Sequence, residues 1–289
     1  MRLNLKKLET LRNNISFLKR LEESINASEA DRLLRRVGRV NRVNFLTGEE
    51  TLTTPAKKRI AGVLKTRARG IPLSYILGEA YFLGDLFYVT KETLIPRPET
   101  ELLAEEAIKV MTAGRPQFFG PEILDIGTGC GCLAVSLTIR RPDCRMTALD
   151  ISSAALRVAR NNIKRHALEQ KIRLVKSDLF DRVRGGVWDV IISNPPYIPA
   201  CELADLPKEV LREPKLALDG GERGLSVIKK ILAQAPTHLK KGGWLLMEIG
   251  KGQSDLLRRR IGKDVRYTGL RFIKDLAGVE RILVVRKNG

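Results

Sequence analysis

Histidine is almost absent: His166 and His238 are the only two in 289 residues. Neither has a cysteine or serine-acid pair beside it in the sequence, so Ser-His-Asp or Cys-His chemistry has little material. Both rings are expected on helix surfaces. Cysteine is scarce as well. Cys130, Cys132, Cys144 and Cys201 form no C-x-x-C pair. That argues against a zinc site, and a disulfide framework does not suit a chain of this length. No metal is expected. No run of about 18 apolar residues occurs, so nothing is expected to span a membrane. Residues Met1–Lys7 show no secretory-signal pattern, and the chain reads as cytoplasmic.

Acidic residues are the scarcer sign, 33 against 52 basic, for a net charge of +19. Such an excess points either to solubility or to a polyanionic partner. Its distribution is uneven. Residues 1–90 hold 17 Lys and Arg against 9 acids, residues 91–250 hold 24 against 20, and residues 251–289 hold 11 against 4. The excess sits at the two ends, suited to electrostatic steering toward an acidic or RNA-bearing partner. Contact with nucleic acid is compatible with this charge but not required by it.

What is present divides the chain. Leu3, Leu8, Leu11, Ile15, Leu18 and Leu21 recur at helical spacing. Ser28-Glu-Ala-Asp31 resembles a capping box, and Thr54-Pro55 opens a further helix to about Arg69, with proline at its first position. Residues 1–78 therefore read as a small helical domain without chemistry, a recognition module. Residues 79–97 read as a β-hairpin linker that ends in the stiff loop Leu94-Ile-Pro-Arg-Pro98. That loop either presents Arg97 or simply connects two bodies. From residue 98 onward a catalytic domain is expected. It opens on a helix to about Met111. Apolar strands follow at Glu122–Ile126, Arg145–Ile151, Ile172–Ser177, Val187–Ser193 and Gly243–Ile249. Helices at Cys132–Arg141, Ser153–His166 and Leu225–Leu239 lie between them. Alternation of this kind makes an α/β doubly wound parallel sheet. Arg266–Asp275 and Glu280–Arg286 read as a closing hairpin that adds an antiparallel strand.

The first strand runs into Asp125-Ile-Gly127-Thr128-Gly129-Cys130-Gly131. Glycines at that point allow a tight turn and close approach of the backbone to a ligand at the C-terminal edge of the sheet. The spacing differs from the dinucleotide G-x-G-x-x-G. Asp150 ends the second strand, where a carboxylate can accept both ribose hydroxyls, although alone it would read as a helix cap. Asp178, followed by Leu179, ends the third, at the level of an adenine ring. Asp125 precedes the glycines, near where a cationic amino group would lie. Acids at three successive strand ends suit a cationic cofactor without phosphates, and S-adenosylmethionine is the expected one. NAD would call for a second dinucleotide-binding half, and ATP for a P-loop lysine.

Asn194-Pro195-Pro196-Tyr197 follows the fourth strand and faces the same crevice. Two prolines lock the backbone and donate nothing, leaving a rigid array of acceptors. The Asn194 side-chain oxygen and the Pro195 carbonyl can both accept from one NH2, while Tyr197 offers a flat ring for stacking. A delocalised amide or exocyclic amino nitrogen is a poor nucleophile. Acceptors that orient it and enrich its electron density answer that problem. These four residues are the candidate catalytic and substrate-binding group. On the motif alone, adenine N6, cytosine N4 and glutamine N5 all remain open as the nitrogen methylated.

The wider sequence resembles the HemK/PrmC family, the release-factor glutamine N5-methyltransferases. The resemblance rests on Pro72-Leu-Ser-Tyr-Ile-Leu-Gly78, Leu94-Ile-Pro-Arg-Pro-Glu-Thr-Glu101, the glycine turn and the Asn-Pro-Pro-Tyr motif. It extends to Glu213-Pro214 with Ala217-Leu218, Glu248-Ile-Gly250 with Gln253, and Lys274-Asp275 with Arg281. It implies a Rossmann-like seven-stranded methyltransferase sheet with a small all-helical N-terminal domain. It implies S-adenosylmethionine as cofactor, with Gly127–Gly131, Asp150, Leu179 and Asn194 at the family's cofactor positions. Asn194–Tyr197 fall on its substrate-amide positions. The implied substrate is the glutamine of the Gly-Gly-Gln motif in peptide chain release factors. Two departures stand out: Ser74 where the family usually has Gln, and Arg212 where an aromatic residue is common. A DNA or RNA amino methyltransferase is the alternative reading. Against it, the sequence shows no large target-recognition insert and no basic stretch studded with aromatics.

Overall fold

A computed structural model of the chain describes residues 5–112 and 120–289. Chain contacts separate two units, Met1–Leu77 and Gly78–Gly289.

The first unit is helical: α1 (Leu5–Glu22), α2 (Ala27–Leu33) running into a π turn to Gly38, α3 (Arg42–Leu46), α4 (Thr54–Arg67) and α5 (Leu73–Leu77). Leu18 and Leu21 are buried with Leu33, Leu34, Phe45, Ile60 and Leu73. Leu3 lies outside the described residues, and Ile15 is 38% exposed although it shares the leucine periodicity. The buried polar residue on α1 is Asn14. It donates to the carbonyls of Phe45 and Glu50, tying α1 to α3 and to the segment that follows it. Two expected caps are displaced. Asn26, not Ser28, caps α2 by accepting from the Glu29 N–H, so Ser28 falls inside the first turn. Thr53 caps α4, which puts Pro55 at the second helical position rather than the first. Both satisfy amides that the helix itself leaves unpaired.

The second unit begins with the hairpin β1 (Glu79–Phe82) and β2 (Asp85–Tyr88). The Asn162 side chain exchanges hydrogen bonds with the Tyr88 backbone, and Arg140 pairs with Asp85. The hairpin is thereby fixed to the α/β body. After α6 (Pro98–Thr112) come β3 (Glu122–Ile126), α7 (Cys132–Arg140), β4 (Arg145–Asp150), α8 (Ser153–Arg165), β5 (Ile172–Lys176) and β6 (Trp188–Ser193). Short helical turns follow, including α9 (Lys215–Leu218). The chain closes with α10 (Ser226–His238), β7 (Leu239–Glu248), α11 (Ser254–Ile261), β8 (Tyr267–Lys274) and β9 (Glu280–Lys287).

The sheet order is β5-β4-β3-β6-β7-β9-β8. Six strands run in one direction, and β9 alone runs antiparallel to them, between β7 and β8. This is the doubly wound sheet with an antiparallel strand that the alternation and the closing hairpin led us to expect, and its seven strands are those the family resemblance implies. Strand order reverses between β3 and β6, and a crevice at such a switch point is where open α/β sheets bind ligands. The central strands are buried on both faces. Ile123, Leu124, Val190, Ile191, Ile192, Leu245, Leu246 and Met247 are all fully covered.

One strand starts earlier than the apolar pattern suggests. β7 begins at Leu239, which pairs with Trp188, and the pairing then jumps so that Val190 meets Trp244. The intervening Lys240-Lys-Gly-Gly243 is the irregular stretch. Neither histidine lies free on a surface. His238 stacks on Phe180 with ring centroids 4.4 Å apart, and His166 packs beside Phe87. Each ring also meets a backbone carbonyl, of Gly186 and Leu86 respectively.

Candidate active site

The glycine turn is held by the end of β4. The Gly127 and Thr128 N–H groups both donate to the Leu149 carbonyl, at 2.9 and 2.8 Å. Gly127, Gly129 and Gly131 all have positive φ, which side-chain-bearing residues adopt only with strain. Gly131 caps α7, and a Cβ there would sit 3.3 Å from Ala159 of α8. The turn is therefore shaped by packing as well as by conformation.

Asp150 completes it. One carboxylate oxygen accepts from the Gly129 N–H at 2.9 Å and the other from the Ser152 N–H at 2.8 Å. Burial pushes its pKa upward against the pull of these backbone bonds. Each oxygen retains a free lone pair. The capping role is taken by Ser152, whose side chain accepts from Ala155.

A cavity of about 440 Å³ opens over this turn. Its walls include Thr128, Gly129, Cys130, Asp150, Asp178, Leu179, Asn194, Pro195 and Pro196. Its size falls in the range of ligand pockets, roughly 300 to 1,000 Å³. Asp178 is exposed, and Leu179 carries a φ of 44°. A leucine in that conformation is strained, and such strain collects at ligand sites. Asp125, Gly131 and Tyr197 do not line this cavity. Asp125 is fully buried next to this turn. Neither of its carboxylate oxygens has a hydrogen-bond partner. Burial raises its pKa to about 7, with the Asp150 charge adding and the nearby Thr128 hydroxyl and Ala134 N–H offsetting part.

Asn194–Tyr197 forms a wall between two cavities. Asn194, Pro195 and Pro196 face the first, while Tyr197 faces a second of about 890 Å³ with Ile198, Cys201, Arg223 and Gln253. The Asn194 side-chain NH2 donates to Thr100 Oγ1 at 2.9 Å, and its oxygen is buried with no partner. Thr100 Oγ1 donates to Glu248 Oε2 at 2.7 Å, and the Tyr197 hydroxyl donates to Glu248 Oε1 at 3.0 Å. Glu248 is fully buried at the end of β7. Burial lifts its pKa to about 7; the Thr100 and Tyr197 bonds and the Arg281 charge oppose that rise, and Glu99 adds to it. Burial likewise pushes the Tyr197 phenol well above its ordinary value.

Gln253 fixes the tail of the motif. Its NH2 donates to the carbonyls of Tyr197, Arg223 and Gly224, and its oxygen accepts from the Gly250 N–H. Arg97 lines neither of these two cavities. It pairs with buried Glu213, which also accepts from the Ile95 N–H at 2.9 Å. The proline loop is thus pinned, and Leu94 and Pro96 line the first cavity. Ser74 is buried and accepts from Arg32, whereas Arg212 is exposed on a short helical turn. Asp275 accepts from Arg281 and closes the β8–β9 hairpin. Among the described residues, no group of acids, cysteines and histidines is arranged to hold a metal. None of their helices is long and apolar enough to cross a membrane.

Thr100 and Glu248 are functional candidates that the sequence quoted only as parts of longer motifs. The available signal was an acid ending the strand beside the Asn-Pro-Pro-Tyr strand.

Comparison with known proteins agrees with this geometry. Residues 103–221 match the Methyltransferase small domain and residues 9–78 the PrmC N-terminal domain. A methyltransferase from Pyrococcus furiosus aligns at a TM-score of 0.52, with 21% identity over 81% of this chain and 100% of that one. The human Mettl16 catalytic domain, solved with an RNA hairpin, aligns at 0.54, with 17% identity over 82% and 84%. These likenesses concern the fold. Together with the family models, they define the class: an S-adenosylmethionine-dependent methyltransferase.

Relatives narrow it. A release factor glutamine methyltransferase from Gloeobacter violaceus is 36% identical over 90% of both chains. One from Chlorobaculum tepidum is 37% identical over 95% of both. A ribosomal protein uL3 glutamine methyltransferase from Francisella tularensis is 35% identical over 81% of this chain and 73% of its own. The chain belongs to the release factor glutamine methyltransferase family.

Proposed function

We propose that this protein transfers a methyl group from S-adenosylmethionine to the side-chain amide N5 of the glutamine in the Gly-Gly-Gln motif of peptide chain release factors. The observation that carries the reading is the buried, partnerless oxygen of Asn194, a residue that lines the first cavity. A buried acceptor left unpaired is costly unless a ligand completes it. A primary amide supplies the missing donor.

The donor cavity suits the cofactor. Asp150 keeps lone pairs for two ribose hydroxyls, Asp178 and Leu179 flank the base, and Gly127–Gly131 offer backbone at close range. The buried Asp125 carboxylate supplies negative charge beneath the turn for a cationic amino group. When bound, S-adenosylmethionine supplies a methyl on a sulfonium, which is the reactive chemistry. The remaining work belongs to the chain's own residues. Asn194 Oδ1 and the Pro195 carbonyl take the two amide hydrogens, fixing the nitrogen's orientation and raising its electron density. Pro195 and Pro196 keep those acceptors rigid. Tyr197, held by Glu248, stacks against the planar amide. Orientation of this kind can supply much of a rate enhancement without a strong base, since the proton can leave after attack.

The helical unit (residues 1–78) serves release-factor recognition, residues 79–97 connect it, and residues 98–289 carry catalysis. On this reading the reaction runs in the cytoplasm, where translation terminates. A ribosomal-protein glutamine is the second reading, favoured by the uL3 relative.

Labelled S-adenosylmethionine separates these possibilities. The protein is incubated in parallel with a release factor, with ribosomal protein uL3, and with DNA or RNA. Label is expected in the Gly-Gly-Gln peptide of the release factor. Label only in uL3 or only in nucleic acid would refute the proposal.

A further inference from the structure

A side-chain amide can sit either way round, offering oxygen or NH2 to the same point. Methylation of an amide requires that Asn194 offer oxygen. Nothing in the Asn-Pro-Pro-Tyr motif itself enforces that choice.

The network behind the motif does. An ionised carboxylate has no proton to give. Buried Glu248 therefore takes the single proton of the Thr100 hydroxyl, 2.7 Å away. Thr100 is then left with lone pairs only, and whatever meets its oxygen has to be a donor. Asn194 meets it at 2.9 Å and must turn its NH2 that way. Its oxygen is left for the substrate. The same carboxylate takes the Tyr197 proton at 3.0 Å, so both ends of the motif are set by one buried charge. Thr100 and Glu248 are themselves almost fully enclosed, at 3% and 0% exposure, so water does not stand in for either.

We propose that Glu248, acting through Thr100, fixes the polarity of Asn194 and so makes the site select a glutamine amide over a glutamate carboxylate. This rests on the reading that Asn194 receives the substrate amide. Thr100 and Glu248 are positioning residues. The consequence is chemical discrimination between substrates of nearly equal shape. A carboxylate facing two acceptors finds no donor and is rejected. Sites built around buried polar groups reject the wrong partner far more strongly than apolar pockets do.

The experiment uses full-length protein at pH 8 with an intact release factor as substrate. The same factor with its motif glutamine changed to glutamate serves as competitor. T100V keeps the shape but removes the hydroxyl; T100S keeps the hydroxyl. Wild type is expected to prefer the glutamine factor by at least about tenfold. T100V is expected to lower kcat at least about tenfold and to shrink that preference by a similar factor, because Asn194 is freed to turn over. T100S is expected to stay within about threefold of wild type in both. Cofactor affinity should be unchanged in all. If T100V fails to fold, T100A takes its place with the same expected losses, since it removes the hydroxyl without adding bulk. Full preference in T100V, or equal losses in T100V and T100S, would overturn the inference. So would a lowered kcat with the preference intact, which would mark Thr100 as merely structural. A wild type that methylates no release factor would overturn the reading beneath it, and the inference with it.

Discussion

Alanine in place of Gly224 tests how tightly the loop behind the motif controls it. A Cβ at that position would lie 1.9 Å from the Tyr197 carbonyl oxygen and 2.6 Å from Gln253 Nε2. Contacts under 3.0 Å do not occur in real structures, so the backbone must move by about an ångström. The φ of 68° adds a left-handed penalty of roughly 1–2 kcal/mol. Overpacking adds roughly 1–3 kcal/mol. The total, about 2–5 kcal/mol, corresponds to a fall in melting temperature of roughly 5–20 °C for a unit of this size. A shift of about 1 Å at reacting groups costs on the order of a hundredfold in rate. Gly84 in the β1–β2 turn is the control. Its φ is 81°, but nothing lies within 4 Å of an added Cβ. G84A should show the conformational penalty alone, with full turnover. The assay pairs thermal unfolding by circular dichroism with methyl transfer to a release factor. If G224A melts with G84A and keeps its turnover, the tight coupling inferred here is refuted.

Three further expectations follow from the site. Asn194→Ala should reduce transfer at least about a hundredfold while cofactor affinity, read by calorimetry, stays within a few-fold; unchanged turnover would reject the role given to Asn194. Asp125 and Glu248 both have folded-state pKa values raised to about 7. The folded protein thus holds more protons than the unfolded chain between about pH 4 and 7. Their contribution to stability is fully present below about pH 4 and is lost as pH rises through 7. Asp125→Asn should therefore raise the melting temperature of the cofactor-free protein at pH 8 and weaken cofactor binding. An unchanged melting temperature would contradict the burial argument. The charge of +19, concentrated at the chain ends, predicts that association with a release factor slows as salt is added. A salt-independent stopped-flow rate would discard steering.

Much of this architecture is written in short local patterns. The strand-helix alternation, the glycine turn and Asn194–Tyr197 each occupy a few consecutive residues and need no partner to be recognised. Boundaries blurred where local and tertiary preferences disagree. Residues 240–242 fall between the expected helix and the strand expected from Gly243, yet β7 runs through them because Leu239 pairs with Trp188. Helix α11 was missed, being only Ser254–Ile261 and rich in arginine. Asp125, expected near a cationic amino group, is buried and does not line the first cavity. The Thr100–Glu248 bond joins residues 148 apart, and no local pattern announces such a link. Long-range polar pairs become visible only when the sheet brings their strands together.

The buried carboxylate at the end of β7 also bears on how the chain finds its fold. Ser193 of β6 stands opposite Met247 of β7, so Glu248 comes level with Asn194. These two strands are distant in sequence, and their pairing must restart after an irregular stretch. A slip by one residue would turn Glu248 to the other face of the sheet, into aliphatic packing, with no hydroxyl to meet it. An uncompensated buried charge costs several kcal/mol. The acid that orients the active site therefore also makes the misregistered sheet unstable, and correct folding and a correctly set site are selected by the same side chain.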